Sequence, residues 1–278
     1  GFMEIFVLKS DEVAAITRGT HGNPHHILGM HQCLNDCYVN AYLPRATAAF
    51  VLRINEETGE PIFKYPMTEI GSQGFFTVKI EDSGAFAYKL ITEGEQAAEF
   101  YDPYSFGYSV DPVNVMKVVN GDDGILSDFH VKDLFGARQI TLDGVQGVSF
   151  CMNMPGATRV SVVGDFNGWD GRVNPMRRID YTDMFELFIP GDLMNTRYKF
   201  EALYRDGNTD IFADPYAEVY EMAPGNASVL AKLEYSWSDS SYMKKRGSVS
   251  APVNIYEVHM PTWKRNSDGY PLNYLEFG

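Results

Sequence analysis

The strongest constraint on this chain is that its two halves repeat each other. Pro44, Ala46 and Thr47 recur as Pro155, Ala157 and Thr158, each 111 positions later. Pro66, Met67 and Ile70 recur as Pro175, Met176 and Ile179, and Phe76 with Ile80 as Phe185 with Ile189, all 109 positions on. Tyr88-Lys89 returns as Tyr198-Lys199 after 110 positions, and Asp102-Pro103-Tyr104 as Asp214-Pro215-Tyr216 after 112. Collinear matches whose spacing drifts by a few residues describe two tandem copies of one unit with small loop insertions. One fold must therefore satisfy both halves.

Each copy reads as short strands. In the second, Val148 and Phe150 are followed by apolar, alternating runs at 159–163, 185–189, 197–204 and 228–233, with turn residues between them. Several such strands in about a hundred residues fit an immunoglobulin-like β-sandwich. Seventeen Tyr and eighteen Phe, with 25 Gly and 14 Pro, suit sheets and turns better than long helices. The predicted class is all-β: two tandem immunoglobulin-like sandwiches, at 21–120 and 141–238. An N-terminal segment, 1–20, is expected to hold a helix over 11–17 capped by Ser10, and a linker, 121–140, a short helix from 127 to about 135 capped by Ser127. The last segment, 239–278, matches neither copy. Its strand-like run at 254–260 and a helix start near Asn273 read as half of a βαβ unit whose parallel neighbour is absent, hence as a truncated domain start. Apolar surface there is expected to be mobile, to pack on the second sandwich or to drive self-association.

A formal charge of -14 disfavours nucleic acid and anionic membranes, both of which select clustered Lys and Arg. A neutral polymer such as a polysaccharide meets no such penalty. Cys33, Cys37 and Cys151 form a sparse, odd set that suits a reducing cytoplasm better than a disulfide framework. Residues 1–9 show no signal-peptide pattern, and no apolar run reaches membrane-spanning length. His21, His25, His26, His31, Cys33 and Cys37 lack the tight recurrent spacing of a closed zinc site, so no metal and no other cofactor is expected. The 37 carboxylates contain no pair that sequence places face to face across a sugar, so no catalytic residue is assigned.

The two copies differ most at one turn. The run Val160 to Val163 stops at Gly164 and gives way to Asp165-Phe166-Asn167-Gly168-Trp169, whose Gly and Asn residues allow a sharp reversal that ends on a large ring. In the first copy the stretch 52–64 replaces this turn and holds no Trp. Trp169 either stacks on a flat amphipathic ligand or closes one end of the sandwich. Period-2 geometry turns Lys199 away from the core that Tyr198 and Phe200 fill.

These residues resemble the 1,4-α-glucan (glycogen) branching enzymes. Val160 to Arg172 with Asn174-Pro175-Met176, Glu186 to Gly191 and Tyr198-Lys199-Phe200-Glu201 resembles their second amino-terminal module, and Pro24 to Gly29 with Tyr42 to Ala46 their first. Ile255 to His259 with Trp263-Lys264-Arg265 is similar to the entry into their (β/α)8 catalytic barrel. The resemblance implies glycogen-binding-type modules that hold α-glucan (glycogen, maltooligosaccharide) for a barrel lying beyond Gly278. In the family, that barrel cleaves an α-1,4 bond with retention and passes the glucan to a 6-hydroxyl. The chain itself is then expected to have no branching activity. Related modules, including that of the AMP-activated kinase β subunit, bind through the Trp of this turn and the Lys of the Tyr-Lys-Phe strand. That carries glucan contact onto Trp169 and Lys199, with Asn226 as a further hydrogen-bonding group or a turn residue. Stronger binders carry a second Trp after this strand; here Ile211 and Phe212 stand in that region, Phe212 is taken as the candidate contact, and weak affinity is expected. The first module is expected to be a spacer or packing unit.

Overall fold

The computed structural model describes residues 8–119 and 134–231. The strand and helix start expected beyond 239, and the linker helix apart from its last two positions, lie outside them; Leu134 and Phe135 are in a turn and a bend. The chain opens with helix α1, Ser10–Arg18. Lys9 holds the N-cap position with no side-chain bond, so the expected Ser10 cap is corrected: Ser10 is the first helical residue. Asp11 and Glu12 in the first turn complement the helix dipole, and Gly19, at φ 72°, closes the helix with its N–H on the Ile16 carbonyl.

Eight strands follow in the first copy: β1 Gly29–Cys33, β2 Asp36–Tyr42, β3 Ala46–Ile54, β4 Pro61–Pro66, β5 Thr68–Ile70, β6 Phe75–Ile80, β7 Tyr88–Gly94 and β8 Ala98–Phe100. They form two antiparallel sheets, β1-β2-β6-β5 and β4-β3-β7-β8, closed on a core that includes Val39, Val51, Tyr88 and Leu90. The second copy provides β9 Gly136–Leu142, β10 Val145–Asn153, β11 Ala157–Gly164, β12 Arg177–Arg178, β13 Met184–Pro190, β14 Arg197–Tyr204, β15 Thr209–Phe212, β16 Val219–Tyr220 and β17 Ser228–Val229. Its sheets run β9-β10-β13-β12 and β11-β14-β17-β16, with β15 on β14. The first sheet repeats its counterpart strand for strand. The second sheets differ: β4 pairs with β3 in the first copy where the second has the Trp169 turn, and β17 and β16 extend the second copy's sheet past β14.

The repeated residues meet in space. Tyr88 donates its hydroxyl to Asp102 at 2.6 Å, and Tyr198 donates to Asp214 at 2.5 Å. The same carboxylates accept the backbone N–H of Tyr104 (3.0 Å) and Tyr216 (2.8 Å). Burial pushes both Asp pKa values up to about 6, against the lowering effect of those hydrogen bonds. Each copy thus pins the segment leaving its sheet to the inside of its core.

Buried polar contacts tie the second sandwich to the segments that precede and follow the first. After β8 the chain lays Ser109 and helix α2, Pro112–Val119, on the outer face of β10 and β13. Asp111, a helix cap that sequence reading missed, accepts the Val113 N–H at 2.9 Å. Val115 packs with Cys151, Ile179 and Met184, so β10 and β13 are covered on both faces. Glu186, fully buried there, accepts from Arg177 at 2.6 Å and from the Ser109 hydroxyl at 2.8 Å. On the opposite sheet, buried Arg159 donates to the Gly19 carbonyl at 2.7 Å and to Glu201 at 2.8 Å. Between the sandwiches lies a cleft of about 290 Å³, with Leu43, Pro44 and Phe100 on one side and Phe166, Ile189 and Leu193 on the other.

Candidate functional site

Strand β11 ends at Gly164, and the chain turns through a 3-10 segment, Asp165–Asn167, into Gly168 and Trp169, both left-handed at φ 65° and 61°. Asn167 fixes this reversal from inside. Its Oδ1 accepts the Gly164 N–H at 2.9 Å, while Nδ2 donates to the Val162 carbonyl at 2.8 Å and to Asn174 Oδ1 at 2.9 Å. The Trp169 N–H returns to the Gly164 carbonyl at 3.0 Å. A bulky side chain in the left-handed region costs about 1–2 kcal/mol, which these bonds offset.

The geometry separates the two aromatic residues of the turn. Phe166 packs against the core, its ring centroid 6.3 Å from that of Phe150, and closes this end of the sandwich. Trp169 belongs to no core cluster and is 37% exposed. Its indole N–H donates to Asp165 at 3.3 Å, and Asp165 also accepts from the Arg197 backbone N–H at 2.8 Å and from the Arg197 guanidinium. Arg197 binds Glu221 at 2.9 Å as well, and its guanidinium holds both carboxyls below the usual carboxylate range. The ring is thus tethered at its edge by a charged network and stays partly exposed.

Beside it, β14 alternates as expected: Tyr198 and Phe200 are buried, and Lys199 lies on the outer face. Lys199 Nζ donates to Asn226 Oδ1 at 2.5 Å, so these two residues from separate loops and strands are brought together. An ammonium has three donors, and this bond leaves two for other oxygens. Phe212 requires a correction. It lies in the core, 7% exposed, with its ring centroid 6.0 Å from that of Phe200. The alternation of β15 instead turns Ile211 outward, 52% exposed and opposite Glu201 in the register. The hydrophobe on this face is therefore Ile211, a residue that counting one position along the strand identifies.

Two histidines of the first copy pack within the fold. His25 packs edge-on against Tyr104 with centroids 4.9 Å apart, and His31 Nε2 lies 3.0 Å from the Leu28 carbonyl. Burial, reinforced by Arg177, lowers the His25 pKa to about 2.

Residues 9–104 match the family described as the N-terminal domain of the alpha-1,4-glucan branching enzyme GlgB, and residues 134–217 match carbohydrate-binding module 48, the isoamylase N-terminal domain. The 1,4-alpha-glucan branching enzyme GlgB of Paramagnetospirillum magneticum is 36% identical over 277 residues, 97% of this chain. That of Rhodospirillum rubrum is 35% identical over 280 residues, 96% of this chain. By sequence the chain corresponds to the amino-terminal region of the 1,4-alpha-glucan branching enzymes. It spans 36% of the length of each of these two relatives. A pullulanase from Anoxybacillus sp., solved with maltotetraose, shares 15% identity over 72% of this chain and 25% of its own, at a TM-score of 0.31, a likeness too slight to bear on the site. Within the branching-enzyme region, the module-48 match contains Trp169, Lys199 and Ile211, and Asn226 follows it. Among the described residues no helix is long and apolar enough to cross a membrane.

Proposed function

We propose that the face formed by Trp169, Lys199 and Asn226, with Ile211 in the place first given to Phe212, binds α-glucan such as glycogen or a maltooligosaccharide. Its role is to hold the chain for the catalytic barrel of a branching enzyme, which transfers α-1,4-glucan segments to 6-hydroxyls. The observation that carries this reading is the division of labour in the turn: Phe166 closes the core, while Trp169 is held outside it in a left-handed conformation. An indole held by its edge presents an apolar face to the C–H surface of glucose, and the Lys199–Asn226 pair supplies donors for hydroxyls at the rim. The reading places the modules at 21–120 and 141–238 and leaves bond cleavage to the barrel. It sets the protein in the cytoplasm, in keeping with three free thiols, Cys33, Cys37 and Cys151.

Isothermal titration of maltoheptaose into the wild-type chain and Trp169→Ala tests the proposal. Weak binding at millimolar sugar, abolished by the substitution, is expected because a single aromatic anchor carries most of the contact. No heat from the wild type at that concentration leaves the modules as scaffolds that orient the barrel without touching glucan.

A further inference from the structure

The turn that carries Trp169 is braced by the other module. Tyr104, the last residue of the first-module match, reaches across the boundary and donates its hydroxyl to the carbonyl of Pro175 at 2.9 Å and, more weakly, to that of Val173 at 3.4 Å. Its ring packs against the core of the second sandwich and against the cluster of Ile16, Ile27, Leu28, Tyr42 and Phe75 beside the first. Between those two carbonyls sits Asn174, whose side chain accepts from Asn167, and Asn167 in turn holds Gly164, the residue to which the Trp169 N–H returns. Hydrogen bonds, joined through the backbone of 173–175, therefore link Tyr104 to the backbone of Trp169.

A second contact meets the turn from outside. A Cβ placed on Gly168 would lie 2.8 Å from the Arg45 guanidinium, so this first-module side chain rests against the left-handed glycine next to Trp169. Arg172, paired with Asp170 at 2.7 Å, lies over the Tyr42 ring at 5.6 Å. Gly29 allows Tyr104 to approach, because a Cβ there would meet the Tyr104 carbonyl at 2.3 Å. The two copies diverge at this point. Tyr216, the repeat counterpart of Tyr104, stacks on Phe135 at 5.4 Å instead.

We infer that the first module acts as a positioning element for the glucan face, with Tyr104 as the positioning residue that sets the conformation of the Trp169 turn. This rests on the glucan reading for its functional consequence, but not for its structural one. A loop held in a strained conformation binds well only if its supports keep it there; when a support is lost, the binding-competent fraction falls and the apparent affinity falls with it.

The test uses the full chain with Tyr104→Phe, which removes the hydroxyl and leaves the ring, and Arg45→Gln as an independent second variant. Protein labelled with 5-fluorotryptophan gives a fluorine resonance for Trp169, assigned by its disappearance in Trp169→Phe. The expected result is a single Trp169 resonance in the wild type that shifts or broadens in Tyr104→Phe while the other tryptophan resonances hold. Maltoheptaose affinity should fall about threefold to tenfold in the same variant, the range for one lost hydrogen bond. An unchanged Trp169 resonance in both variants overturns the inference. So does wild-type affinity in Tyr104→Phe when Trp169→Ala abolishes binding. If the wild type itself fails to bind, the glucan reading falls, and the fluorine spectra still decide whether Tyr104 positions the turn.

Discussion

Asn167→Ala is the sharpest probe of how the turn is held. The side chain is 2% exposed and makes three hydrogen bonds, to the Gly164 N–H, the Val162 carbonyl and the Asn174 side chain. At about 0.5–1 kcal/mol net for each bond, with about 1 kcal/mol added for leaving the buried Gly164 N–H unpaired, the loss comes to about 2.5–4 kcal/mol. The loss should fall on the second sandwich, because the bonds tie the end of β11 to the segment that leads into β12. Urea unfolding followed by near-ultraviolet circular dichroism reports the change, and amide exchange at Gly164 locates it. Asn167→Asp serves as a control that keeps the acceptor for Gly164 but sets a carboxylate against two oxygens, so it should not recover the stability. A loss below about 1 kcal/mol with the Gly164 amide still protected would refute the reasoning, since the turn would then hold without this side chain.

Two further substitutions test buried charges. Asp214 has a folded pKa of about 6, above its ordinary value of 3.8, so the native state binds its proton more tightly than the unfolded chain. Its contribution is therefore fully present below pH 4 and is lost as pH rises through 6; relative to Asp214→Asn, the wild type should lose about 3 kcal/mol across that window. Parallel pH profiles of the two proteins in denaturant unfolding would contradict this. Glu186→Ala strands Arg177 without its carboxylate and removes the acceptor of the Ser109 backbone N–H, while the Ser109 hydroxyl keeps only Ser149, at a cost of about 3–5 kcal/mol. Limited proteolysis should then cut within 106–119 faster than in the wild type, and an unchanged cleavage rate would show that the ion pair does not anchor this connector.

Much of the architecture was legible because repetition and alternation are properties of neighbours in sequence. The 109-to-112-residue offsets predicted two copies, and one sheet of each, β1-β2-β6-β5 and β9-β10-β13-β12, has the same strand order. The alternation of Tyr198, Lys199 and Phe200 correctly turned the lysine outward. The same rule applied along β15 turns Ile211 out and Phe212, the expected contact, in. Helix α2 was missed because its eight residues are too short to show a periodicity, and it is secured by its packing on Cys151, Ile179 and Met184.

What the amino-acid sequence determined by itself was the likeness to the branching enzymes, the paired sandwiches and the turn that distinguishes the second copy from the first. Each of these is written in local pattern or in the order of motifs. Only the tertiary structure decided which ring closes the core and which stays outside it, that Lys199 meets Asn226 across 27 positions, and that Tyr104 of the first module supports the turn of the second across 71. The physical reason is that hydrogen bonds and packing depend on distance through space. Residues far apart in sequence become partners only when two closed sandwiches bring their surfaces together.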